Sequence, residues 1–107
     1  MVKELTPREF VERRAGGARL TLVDVREPWE IELAPVPADL THIPMGQIPD
    51  RLGELDPAQP TVVICRSGGR SLQVASFLES RGFAEVYNLA GGILEWSRDL
   101  DPGIRRY

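Results

Sequence analysis

Apolar residues are distributed along this chain in two different rhythms. In "LTLVDV" (Leu20–Val25) and "TVVIC" (Thr61–Cys65) they run almost without interruption, and both stretches are short and rich in β-branched residues. That pattern predicts strands covered on both faces, as in parallel sheets. "EVYNL" (Glu85–Leu89) is a third short strand, and a fourth is allowed near Thr41–Ile43. Between Ser71 and Arg81 the rhythm changes. Leu72, Ala75 and Leu78 recur every three positions, with Val74 and Phe77 alongside, and this predicts an amphipathic helix stopped by Gly82.

The other helices announce themselves by their ends. Thr6, Pro7 and Glu9 form a capping box with proline at the first helical position, and Leu5 and Phe10 occupy the hydrophobic-staple positions. Gly16 and Gly17 end that helix. "PWEIEL" after Glu27 predicts a short helix, Pro49–Leu55 a weak one, and "GGILEWSRDL" a closing one with Ile93, Trp96, Ser97 and Leu100 near one face. Leu33–Asp50 carries Pro35, Pro37, Pro44 and Pro49 and reads mostly as loop. The tail "DPGIRRY" reads as loosely held. Strands alternating with helices predict an α/β fold with a mostly parallel sheet. No repeat or linker divides the chain, so residues 1–107 read as one domain.

Composition narrows the functional classes. Apolar residues make up 42% and charged residues 27% of the chain, and the formal net charge is -3. A mildly acidic surface argues against nucleic acid as the main partner. No apolar run approaches the roughly 20 residues of a membrane helix, and "MVKELTPREF" lacks the apolar centre of a secretory signal. The expectation is a cytoplasmic protein without a membrane partner. One Cys and one His, Cys65 and His42, make a structural zinc site untenable, and no metal is expected.

The chemistry concentrates at "CRSGGRS", Cys65–Ser71. Cys65 closes a central strand at the carboxyl edge of the sheet, where α/β proteins bind ligands. Gly68 and Gly69 permit a tight return into the next helix. Inward amides and the helix N-terminus would then form a donor-lined cup, lowering the thiol's pKa from its ordinary value of about 8.5. Arg66 and Arg70 add positive charge suited to an anionic substrate, although Arg70 could instead pair with a carboxylate. Ser67 either donates its hydroxyl or fits by its small size, and Ser71 either caps the helix or lines the cup. A lone cysteine ending a strand is ordinarily a small buried hydrophobe. Two glycines, two arginines and a helix start directly after it shift the reading to a reactive thiol. GxxxxGK[ST] and GxGxxG are both absent.

"DVREPWE" (Asp24–Glu30), "CRSGGRS" and "NLAGGILEW" (Asn88–Trp96), in that order, resemble the rhodanese family of thiosulfate sulfurtransferases. "HIPMGQIP" also resembles a family segment, whereas "LAPVPADLT" before it departs from the family pattern. The resemblance implies a five-stranded parallel sheet with helices on both faces. It also implies a Cys65 persulfide formed from a small anionic sulfane-sulfur donor and discharged to cyanide, a thiol or a protein, without a cofactor. A persulfide carrier relaying sulfur between proteins is the alternative, and a redox or arsenate-handling thiol is a third. Arg70 gives C-x4-R, one residue shorter than the C-x5-R loop of cysteine phosphatases. Asp24 and Arg26 either brace the catalytic loop or form a surface pair with Glu27 or Glu30. His42 reads as structural, Trp29 and Trp96 as packing residues, and Gly91-Gly92 as a turn into the last helix. The oligomeric state is left open.

Overall fold

The computed structural model describes residues 1–107. Five parallel strands form one sheet: β1 (Lys3–Leu5), β2 (Thr21–Asp24), β3 (Thr41–His42), β4 (Thr61–Ile64) and β5 (Val86–Leu89). Their spatial order is β1-β5-β4-β2-β3, which puts β4 at the centre. Four α-helices cover it: α1 (Pro7–Ala15), α2 (Pro28–Leu33), α3 (Gly69–Ser80) and α4 (Gly92–Asp99). The weak helix expected at Pro49–Leu55 is a kinked 3-10 segment over Pro49–Glu54, preceded by a 3-10 turn at Met45–Gln47.

Strand alternation divides the core into two. Val62 and Ile64 of β4 join Phe10, Leu89, Ile93 and Trp96 on the face of α1 and α4. Val63 and Cys65 join Val74, Ala75, Leu78 and Ile48 on the face of α3. Helices on both faces agree with the α/β expectation. β1 was not expected, because its Lys3 and Glu4 are exposed and only Leu5 is buried, which leaves no period-two apolar signal. The capping box at Thr6 forms, with Glu9 N–H donating to Thr6 Oγ1 and Thr6 N–H to Glu9 Oε1.

The C-terminal tail is not loose. Ile104 enters the α1–α4 core, the Ser97 hydroxyl donates to the Ile104 carbonyl, and the Tyr107 hydroxyl reaches the buried Arg26. Trp29 is no core residue: it is 59% exposed and packs on the tail, its ring 5.9 Å from that of Tyr107 in a T-shaped arrangement. Trp96, by contrast, is buried against Phe10.

The start of α4 is the tightest place in the fold. Gly92 has φ +59°, and a Cβ there would lie 2.5 Å from the carbonyl oxygens of Cys65 and Arg66. Those carbonyls accept the Ile93 and Leu94 amides at 2.9 and 3.1 Å. The first turn of a helix has unpaired N–H groups, and here two of them hold the chain as it leaves β4. Gly92→Ala should cost at least about 2 kcal/mol in urea unfolding. Gly46→Ala, with open space and an ordinary φ, should change stability by less than about 0.5 kcal/mol.

Candidate active site

The backbone that leaves β4 wraps around one sulfur. Cys65 Sγ accepts the Gly68 amide at 3.1 Å and lies 3.2 Å from the Ser71 hydroxyl. The amides of Ser71 and Ser67 also face it. Gly68 caps α3 with φ +110°, a conformation that disfavours any side chain. Gly69 needs no such freedom, since it is already helical and a Cβ there would meet open space. The helix therefore starts two residues before the expected Ser71, and Ser71 lies inside its first turn rather than capping it.

Burial pushes the Cys65 thiol up. The hydrogen bonds from the Ser71 hydroxyl and from the amides of Ser71, Gly68 and Ser67 outweigh it, and the net displacement is downward. The donor-lined cup is closed over the sulfur: Cys65 is only 1% exposed. The loop amides take the sulfur itself as their acceptor and draw the loop down over it. Arg66, Ser67 and Gly69 form its exposed rim. A separate cavity of about 230 Å³ lies beside α3, lined by Met45, Ile48, Pro49, Gln73, Val74 and Phe77.

Arg70 pairs with a carboxylate, the second of the two readings the sequence allowed. Its two terminal nitrogens donate to the two oxygens of Glu30 at 2.8 Å each, and Glu30 is buried in α2. The Arg70 bonds hold the Glu30 carboxyl at about 2 against an ordinary 4.5; burial opposes them, while the Glu27 amide and the Tyr107 hydroxyl assist. Arg66 is exposed; its guanidinium lies 5.3 Å over the Tyr107 ring and donates through Nε to that residue's main-chain oxygen at 2.6 Å.

Asp24 and Arg26 are not a surface pair either. Both are completely buried, with Arg26 Nη2 2.9 Å from Asp24 Oδ2. Arg26 also donates to the Ala34 carbonyl and to the Tyr107 hydroxyl, which in turn donates to Glu30. The buried pair thus connects to the loop through Glu30 and Arg70, reaching Glu30 by way of the Tyr107 hydroxyl and by a 3.5 Å contact from Arg26 Nη1 to the Glu30 carbonyl. His42 Nε2 stands 2.7 Å from the Arg26 carbonyl, which can only accept, so that nitrogen carries the proton. On the opposite side Asn88 ties Gly68 down: its amide nitrogen donates to the Gly68 carbonyl and to the Glu4 carboxylate, while its oxygen accepts from Ser71 at 2.5 Å. Glu30, Asn88 and Tyr107 were not among the candidate site residues. The one signal for Glu30 was the need of Arg70 for a carboxylate. No three His, Cys, Asp or Glu side chains converge as a metal site would require.

A family model described as Rhodanese-like domain matches residues 6–99. The chain belongs to that family. A protein of Allochromatium vinosum named Sulfurtransferase is 39% identical over 98 residues, spanning 92% of this chain and 91% of the relative. Arabidopsis thaliana Rhodanese-like/PpiC domain-containing protein 12, chloroplastic, is 47% identical over 90 residues, 80% of this chain, but the match spans only 30% of that protein. The crystal structure of a rhodanese-like domain protein from Staphylococcus aureus superposes with a TM-score of 0.83 at 28% identity, covering 99% of both chains. The five-stranded parallel rhodanese-like sheet is therefore the fold of this chain, and sulfur transfer is the activity for which its full-length relative is named. No helix is long and apolar enough to cross a membrane.

The Glu30–Arg70 bridge makes an acid-stability prediction. The folded value of Glu30 lies below its unfolded value, so its contribution is complete above 4.5 and is lost as pH falls through 2. The 4.5-to-2 displacement corresponds to on the order of 3 kcal/mol. Urea unfolding of Glu30→Gln should show lower stability at neutral pH and a flatter decline in acid than the parent. Parallel acid profiles would contradict this.

Proposed function

We propose that the protein is a thiosulfate sulfurtransferase that works through a persulfide on Cys65. The observation that carries the reading is the set of donors converging on that sulfur, which pulls the pKa of a buried thiol down rather than up. Family membership supports the sulfur-transfer class. In the first half-reaction the Cys65 thiolate attacks the outer sulfur of thiosulfate. A new S–S bond forms, the old one breaks, and sulfite leaves with the electron pair. The outer persulfide sulfur then carries the negative charge, and the loop amides from Arg66 to Ser71 are its nearest donors. In the second half-reaction cyanide or a thiol attacks that outer sulfur and the Cys65 thiolate leaves. The chain has no second cysteine, so an outside acceptor must discharge the persulfide. Because Cys65 is almost wholly covered, the loop must lift at its Arg66–Ser67 rim to admit the donor. Arg66 is the exposed cation there and would have to leave the Tyr107 main-chain oxygen to meet the donor, whereas Arg70 is held by the buried Glu30. That commitment also argues against phosphate chemistry, as does the short C-x4-R spacing.

Intact mass after incubation with thiosulfate tests the proposal. A gain of one sulfur is expected, reversed by a reductant and absent in Cys65→Ala. No gain from thiosulfate, together with a gain from a persulfidated protein, would replace the enzyme reading with that of a carrier. No gain from any sulfane donor would overturn both. Aryl phosphate turnover should be undetectable; turnover that vanishes in Cys65→Ser would contradict the loop-length argument.

A further inference from the structure

Ser71 has one hydroxyl proton and two neighbours able to accept it: Cys65 Sγ at 3.2 Å and Asn88 Oδ1 at 2.5 Å. Which one receives it follows from Asn88. The amide end facing Glu4 and Gly68 meets a carboxylate at 3.2 Å and a carbonyl at 3.2 Å, and both can only accept. The Asn88 nitrogen must point there, so its oxygen must face Ser71. Asn88 and Ser71 are both buried, 4% and 0% exposed, so water is poorly placed to replace the bond.

We infer that Asn88 is a positioning residue that opposes ionisation of Cys65 by holding the proton of Ser71. In the thiol form a complete chain runs S–H to Ser71 Oγ, Ser71 O–H to Asn88 Oδ1, and Asn88 N–H to Glu4 and Gly68. In the thiolate form the Ser71 hydroxyl turns to the sulfur, and Asn88 Oδ1 loses its donor. Ser71 therefore stabilises the thiolate only by the difference between these two bonds. The loop amides, which have no such rival acceptor, supply the rest of the downward displacement. Once a persulfide forms, Sγ no longer carries the charge, and the Ser71 proton returns to Asn88. The hydroxyl turns over once in each half-reaction, and the resting thiol is kept less reactive than Ser71 and the amides together would make it without Asn88.

The charged groups around this chain are few. Arg70, beside the sulfur, is neutralised by Glu30 of α2. Glu4 of β1 stands beyond Asn88, and Asp24 at the end of β2 is neutralised by Arg26. The titratable side chain of β3, His42, is bound to the Arg26 carbonyl, and Glu95 of α4 pairs with Arg98.

The inference matters for turnover only if Cys65 is the nucleophile, but its test reads the thiol directly. The midpoint of the pH dependence of Cys65 alkylation would be measured in the parent, Asn88→Leu, Ser71→Ala and the double variant. Asn88→Leu should lower the midpoint by about one pH unit when Ser71 is present and leave it unchanged when Ser71 is alanine. Equal shifts in both backgrounds, or an upward shift in the parent background, would overturn the inference. The parent protein gives a second readout that does not depend on any variant folding. Because the chain has a single cysteine, its infrared S–H stretch below the midpoint is one band. A band moved to lower frequency, as for an S–H that donates to oxygen, is expected. A band at the free-thiol frequency would show that the Ser71 proton points to sulfur and would refute the assignment. Sulfur loading can fail while both results hold, and the reverse is also possible.

Discussion

The carbonyls of Cys65 and Arg66 are held by the first turn of α4, and the site depends on that attachment. A trans peptide sends its C=O and N–H in opposite directions, and the chain contains no cis bond. Fixing the Arg66 carbonyl on the Leu94 amide therefore turns the Ser67 amide away from α4 and toward the sulfur. Gly68, with its left-handed φ, brings its own amide to 3.1 Å from Sγ. The donor set around Cys65 thus follows from peptide geometry once α4 has docked. Gly92 is required because nothing larger lets the two backbones come so close.

Two lateral networks keep the loop from spreading. On one side Arg70 is clamped by Glu30, and Glu30 is tied through Tyr107 to the Asp24–Arg26 pair. Removing either partner of that pair would strand a buried charge, a larger loss than the pair's net contribution. On the other side Asn88 holds the Gly68 carbonyl and the Ser71 hydroxyl. The Glu30 side is charged and rigid, and its effect on the sulfur is electrostatic. The Asn88 side is neutral and shares a proton, so it responds to the charge on the sulfur.

Local signals made most of this architecture legible in the sequence. The capping box at Thr6, the apolar run into Cys65 and the three-residue rhythm of α3 each describe a segment through its own neighbours. β1 escaped because an edge strand with two exposed polar residues resembles a loop in composition. The Cys65 loop was visible in its glycines, but the partners of that loop were not. Arg70 meets Glu30 across 40 residues, Tyr107 meets Glu30 across 77, and Asn88 meets Glu4 across 84. An arginine that clamps a carboxylate and one that awaits an anion look identical in sequence, which is why the sequence alone left both partners open for Arg70. The tail looked loose because Ile104 and Tyr107 stand alone among polar residues, and only the tertiary fold supplies their contacts.

The central claim is that the donors of the loop, the Ser71 hydroxyl and the backbone amides, outweigh the burial of one sulfur. Ultraviolet titration of the thiolate absorbance, with Cys65→Ser as the blank, tests it most directly. The account predicts a midpoint below the ordinary cysteine value of about 8.5 that moves upward in Gly92→Ala, where the loop loses its attachment to α4. A midpoint above that value, or one indifferent to Gly92, would mean that burial prevails and that the loop does not set the chemistry of Cys65.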